Sequence, residues 1–279
     1  MKGIVNRILP FSSVDGPGNR TVIFFQGCNL DCKYCHNPET RNICAHCGTC
    51  VEVCPTGALM KKDGKTVYDI NKCVDCDSCI KVCKQGASPK TREMDATEIF
   101  QAVKKQIPFI RGITVSGGEC SLYPKVVEEV FILAKEAGLS TLMDTNGMVP
   151  FKDYPGLLAC TDGVMLDIKC FNEEDHKVIT GKSNSIVLEN AAYLAKLGKL
   201  DEIRMVIVPE LYNGKESARK TGEFLSKFPG FEKIRVKIIA FRPMGVRKEY
   251  AHYGTPSMEY LEEIRFLLKE IGFEKIILI

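Results

Sequence analysis

From Asp95 onward two rhythms alternate along the chain. The segment DATEIFQAVKKQI sets Ile99, Phe100, Val103 and Ile107 at helical spacing, with Asp95 placed as a cap and Glu98, three residues on, completing a capping box. The same periodicity predicts helices in KVVEEVFILAKEAG, ending at Gly138, in SIVLENAAYLAKLG, ending at Gly198, and in ESARKTGEFLSKF. Between them lie GITVSGG, STLMDTNG, GVMLDIK, EIRMVIVP and RVKIIAF, compact apolar runs of the kind parallel strands show when both faces are covered. With TVIFFQG near the start, this makes six strand-then-helix units. The predicted class is α/β, a parallel sheet curved or closed into a barrel.

Polar residues gather where these strands end: Glu119, Asp144, Asn146, Asp167 and Lys169. In α/β folds that edge binds ligands. Pro38 to about Arg92 breaks the rhythm, being rich in Cys, Gly and charge, and reads as a small inserted domain over residues 39–91, with 1–38 and 92–279 forming the larger one. Charge adds little, because 38 Lys and Arg against 35 Asp and Glu leave +3 and no long run of either sign. Neither nucleic acid nor an anionic membrane is implied as a partner. MKGIVNRILPFSSVDG lacks the apolar centre of a signal peptide and no window approaches a membrane span, so a cytoplasmic protein is expected, and separately a monomer.

Cysteine changes the picture more. Fourteen cysteines in a chain without a secretion signal point to metal, since the cytosol keeps thiols reduced. Cys28, Cys32 and Cys35 follow C-x3-C-x2-C with no fourth partner in phase. Cys44, Cys47, Cys50 and Cys54 follow C-x2-C-x2-C-x3-C-P, and Cys73, Cys76, Cys79 and Cys83 repeat that spacing with Lys84 in place of the proline. Two such runs resemble a bacterial two-cluster ferredoxin, whereas a zinc ribbon would need only four cysteines in two pairs. The resemblance implies two [4Fe-4S] clusters, one on Cys44, Cys47, Cys50 and Cys83, the other on Cys73, Cys76, Cys79 and Cys54. A trio differs from a quartet in leaving one iron of a cube with an open position, suited to chemistry where the saturated quartets suit electron transfer. Cys120, Cys160 and Cys170 fall outside every pattern and read as small buried apolar residues.

The trio after a first strand, followed by SGGE after the second, resembles the radical S-adenosylmethionine (SAM) superfamily, and VDGPGNRTVIFFQGCNLDCKYCHNP, DTNG, MLDIK and RMVIVP extend the resemblance to glycyl radical enzyme activating enzymes of the larger, ferredoxin-bearing type. It implies a partial (β/α)6 barrel with a ferredoxin-like insert and three [4Fe-4S] clusters in all. It also implies SAM chelated at the open iron of Cys28, Cys32 and Cys35, with Tyr34 against the adenine and His36 in the site segment. Gly117, Gly118 and Glu119 would receive the methionyl ammonium, and Asp167 and Lys169 would lie at the SAM carboxylate. A monovalent cation would sit on Asp144, Asp167 and the carbonyls of Thr145 and Met165. Asp15 and Arg20 of VDGPGNR would help hold a loop of the partner, a glycyl radical enzyme, and reduced flavodoxin or ferredoxin would supply the electron. Phe241 and Arg242 stand where the family has Tyr-His, which leaves open what replaces that histidine. Two rival readings are a radical SAM enzyme with auxiliary clusters acting on a peptide or small molecule, and a plain electron-transfer protein.

Overall fold

A computed structural model describes all 279 residues. Strands β1 (Lys2–Ser12) and β2 (Arg20–Phe25) pair antiparallel at the start. The cysteine-rich stretch that follows holds two short helices, α1 (Thr49–Glu52) and α2 (Ser78–Val82), and a hairpin of β3 (Leu59–Lys62) with β4 (Lys65–Tyr68). Strand β5 (Arg92–Asp95) returns the chain to the sheet by pairing with Lys2–Val5 of β1. The alternation then runs α3 (Ala96–Lys104), β6 (Gly112–Gly117), α4 (Pro124–Glu136), β7 (Ser140–Thr145), α5 (Pro155–Ala159), β8 (Gly163–Asp167), α6 (Glu173–Thr180), α7 (Ser185–Lys196), β9 (Leu200–Ile207), α8 (Gly214–Leu225), β10 (Arg235–Ala240), α9 (Met258–Ile271) and β11 (Ile276–Leu278). The capping box forms: Asp95 accepts the Glu98 N–H at 2.9 Å, and Glu98 accepts the Asp95 N–H at 2.8 Å.

All but the hairpin strands make one sheet, ordered β11-β10-β9-β8-β7-β6-β2-β1-β5 and parallel from β2 through β11. Its six central parallel strands are those read from the sequence; β1, β5 and β11 extend it. The end strands β11 and β5 do not pair with each other, so the barrel is partial.

The apolar runs cover one face only. Ile203, Met205 and Ile207 of β9 and Val236 and Ile238 of β10 join the main core of 41 residues under the helices. Of the alternate residues that face the barrel interior, Glu202, Arg204, Arg235 and Lys237 are charged, while Val206 and Ile239 are apolar. Glu202, wholly buried, lies 2.6 Å from Arg204, 3.2 Å from Lys237 and 3.5 Å from Arg235.

Arg20 corrects one expectation. It sits at the start of β2, away from the strand ends, and is 1% exposed. Its guanidinium donates to Thr114 Oγ1 (2.8 Å), the Ile113 carbonyl (2.6 Å) and the Ser140 carbonyl (3.0 Å). With every donor turned inward it stitches β2 to β6 and β7 and has no hydrogen left for a partner's loop.

Candidate functional site

The segment after β2 folds back on itself. The Gly27 and Cys28 N–H groups donate to the Thr40 and Arg41 carbonyls at 2.8 Å, while the Asp31 and Lys33 N–H groups reach the last carbonyls of α6, on Thr180 and Ile179, at 2.9 Å. These bonds aim the loop across the C-terminal ends of the strands. There Cys28, Cys32 and Cys35 line one cavity of about 260 Å³ together with Tyr34, His36, Gly117, Gly118, Glu119, Asp144, Asp167 and Lys169. Ser116, Asn146 and Arg204 line it too.

No two of the chain's cysteines are joined in a disulfide. Burial pushes the Cys28 thiol up to about 11 and the Cys32 thiol up to about 12, and raises Cys35 as well. Three thiols converging in so dry a place become thiolates only when a strong positive centre is brought to them, and an iron–sulfur cluster is such a centre. The donor set therefore fits the group. Two donors are already aimed at sulfur: the Leu30 N–H at 3.5 Å and Asn146 Nδ2 at 3.6 Å from Cys28 Sγ.

Opposite the thiols the charges are paired. Lys169 Nζ lies 2.6 Å from Asp167 Oδ2 and 5.9 Å from the centre of the Tyr34 ring. Burial pulls the ammonium's pKa down, but Asp167 and the Cys32 sulfur more than offset it, so Lys169 stays charged. Arg204 Nη1 lies 2.8 Å from Asp144 Oδ2 and its Nη2 3.2 Å from the Met165 sulfur. A fixed guanidinium thus already supplies positive charge among the groups expected to hold a monovalent cation. Asp144 also accepts from Ser116 Oγ at 2.9 Å, yet burial, opposed by Arg204, raises its pKa to about 6.

Three of the expected residues also do structural work. A Cβ on Gly118 would strike the carbonyl oxygens of Gly27 and Thr40, and one on Gly117, whose φ is +125°, would strike the backbone of Phe25. Glycine is required there by the protein's own close packing of the end of β6 against β2 and the loop after it, whatever ligand approaches. Glu119, 1% exposed, accepts from the Ser121 N–H (2.8 Å), Thr145 Oγ1 (2.7 Å) and the Asn146 N–H (2.7 Å), tying the end of β6 to the end of β7. His36 Nε2 lies 2.9 Å from the Arg242 carbonyl, but the Arg242 side chain is exposed and does not line the cavity, so it does not replace the family histidine. The signal for Arg204 was present in EIRMVIVP: Glu202 and Arg204 stand two apart in an otherwise apolar strand, hence on one face, and Arg235 and Lys237 repeat the pattern in RVKIIAF.

The remaining motif cysteines form two sets. Cys44, Cys47, Cys50 and Cys83 line one cavity and Cys54, Cys73 and Cys76 another, with Cys79 bordering both. The two meet at a small core of Cys50, Leu59 and Cys79.

An open parallel sheet with three thiols over its strand ends and a carboxylate–ammonium wall opposite them defines a class, and the comparisons agree. The chain belongs to the radical SAM superfamily, whose family model matches residues 22–221. Within it, the chain is among the activating enzymes of glycyl radical enzymes. It is 34% identical over 263 residues to the pyruvate formate-lyase-activating enzyme of Streptococcus mutans, covering 91% of this chain and 82% of that one. It is 26% identical over 299 residues to the choline trimethylamine-lyase activating enzyme of Oleidesulfovibrio alaskensis, covering 98% and 96%. Among solved structures, QueE from Escherichia coli shares the fold with a TM-score of 0.56 at 12% identity, covering all of this chain and 94% of that one. No helix is long and apolar enough to cross a membrane.

Proposed function

We propose that the protein converts a glycine of a partner glycyl radical enzyme into its radical form, with Cys28, Cys32 and Cys35 holding the site [4Fe-4S] cluster. When bound, that cluster supplies the electron that cleaves SAM to methionine and a 5′-deoxyadenosyl radical, which takes a hydrogen from the glycine α-carbon. The chain's part is to bind, orient and keep water out. Tyr34, His36, Gly117, Gly118, Glu119, Asp144, Asp167 and Lys169 surround SAM. Lys169, still charged beside Asp167, meets the SAM carboxylate with a charge-assisted bond. The carbonyls of Gly117 and Gly118 would accept from the SAM ammonium, and Asp144, Asp167 and the carbonyls of Thr145 and Met165 would hold a monovalent cation, sharing Asp144 with Arg204.

Residues 39–91 act as a ferredoxin-like domain carrying two further [4Fe-4S] clusters, one on Cys44, Cys47, Cys50 and Cys83 and the other on Cys54, Cys73, Cys76 and Cys79, fed by reduced flavodoxin or ferredoxin. The crossed pairing is supported by the two cavities these cysteines line, since sequence-adjacent quartets would leave Cys54 and Cys83 in the opposite ones.

The observation that carries the reading is that three thiols, Cys32 buried and Cys28 and Cys35 half-buried, line one cavity with the Asp167–Lys169 pair. A partner carrying α-deuterated glycine tests it: deuterium should pass into 5′-deoxyadenosine and a doublet radical signal should appear on the unlabelled partner. SAM cleavage with neither signal on any glycyl radical enzyme offered would refute it.

A further inference from the structure

A second cleft, of about 550 Å³, lies between the barrel and the cysteine-rich segment. Asn6, Arg7 and Ile8 of β1 form one wall, and Tyr68, Asp75 and Asp77 face them from the other. His36 lines both this cleft and the thiol cavity, so the two spaces meet at one side chain. Strand β5 covers β1 only from Lys2 to Val5, whereas β1 runs on to Ser12 with β2 on its other side. From Asn6 to Ser12 one edge of β1 therefore has no strand partner. Free edges in folded proteins pair with whatever extended chain reaches them unless charge or proline guards them, and here Arg7 and Pro10 confine pairing to a matching segment.

The charges say what matches. Of the cleft's carboxylates, Asp75 and Asp77 are held by Lys90, at 3.0 and 2.7 Å, and the half-buried Glu39 is outnumbered by the two guanidiniums of the barrel wall. Arg7, stacked 4.7 Å over Phe24, and Arg92, at the start of β5, are exposed and make no ion pair. Both stand on the barrel wall beside the open edge.

We propose that the free edge of β1 takes up an extended, carboxylate-bearing segment of the glycyl radical enzyme as an added strand, so that the adjoining glycine loop is delivered past His36 into the thiol cavity. The inference rests on the activase reading and adds the surface by which the partner is recognised. Main-chain pairing gives grip regardless of side chains, and the two guanidiniums select for acidic residues.

The probe is the glycyl radical enzyme that acquires the radical in the preceding test. In an Arg7→Glu/Arg92→Glu variant, the partner concentration giving half-maximal activation should rise roughly tenfold or more, because like charges would then face each other across the contact. SAM cleavage with a chemical reductant and iron content should not change. In the wild-type protein, adding the partner should slow hydrogen exchange at those amides of residues 6–12 that face the open edge, about every second one along the strand, since the others already face β2. Unchanged half-saturation with unprotected amides overturns the groove and leaves the activase reading standing. Should the variant lose iron, the wild-type exchange measurement decides alone. Protection produced by flavodoxin instead of the partner would reassign the edge to the electron donor and also overturn the proposal. If no glycyl radical enzyme acquires the radical, the activase reading fails first and the groove with it.

Discussion

Arg20 and Lys169 differ in a way that only their surroundings reveal. Arg20 donates five bonds from a buried position, so Arg20→Ala leaves buried oxygens unpaired around a cavity and should cost about 3 kcal/mol or more in a urea titration. Arg20→Lys should recover only part, since an ammonium cannot span that fork of acceptors. Were Arg20 a holder of the partner's loop, stability would be unchanged and only activation would fall. Lys169→Met should weaken SAM binding by roughly ten- to a hundredfold, from a charge-assisted bond of about 1.5 to 3 kcal/mol. Equilibrium binding at fixed salt measures it, and wild-type affinity would remove the assignment. The cavity-lining cysteines and strand-end carboxylates were legible because their spacing carries the chemistry. The packing work of Gly117, Gly118 and Glu119 was not, because it depends on how closely β6 approaches β2 and β7, and no single segment encodes that distance.

Among the elements, strong periodicity was legible and short edges were not. β5 and β11 have four and three residues, and β1 mixes Asn6, Arg7 and Pro10 into its apolar positions, so none shows a period long enough to read. The charged inner face of β9 and β10 was averaged away by the apolar outer one. Helix α6 carries a device the sequence left silent. His176 is 1% exposed, its Nδ1 lies 2.7 Å from the Lys182 carbonyl, and burial lowers its pKa below 6.5 despite that bond. The folded protein therefore holds His176 neutral, while the unfolded chain takes up a proton near pH 6.5. Stability from this residue is full above that pH and lost as pH falls below it. Because α6 anchors the cysteine loop through Ile179 and Thr180, acid should loosen that loop early. A urea midpoint that falls between pH 7.5 and 5.5, and falls less in His176→Gln, is the expected result; equal slopes would show that other groups govern the drop.

For the whole molecule, the three thiol sets predict an inventory. Anaerobic reconstitution should load about twelve irons per chain, four to each cube, and the combined Cys28, Cys32 and Cys35 to Ala variant should keep about eight. Total iron loss in that variant would mean the sites are not independent. The way the cysteine-rich segment joins the barrel carries a further consequence. Its two ends lie side by side: the Ser88 N–H donates to the Glu39 carbonyl at 2.8 Å and Asn42 Nδ2 to the Gln85 carbonyl at 2.6 Å. A segment whose exits touch behaves, at the level of the gene, as a cassette. One in-frame deletion of residues 44–84, closed with a few glycines, should leave a smaller enzyme that still binds and cleaves SAM but has lost a wall of its docking cleft. Long and short versions of such an enzyme are then one recombination apart, and a lineage can change the partners it serves without touching its radical chemistry.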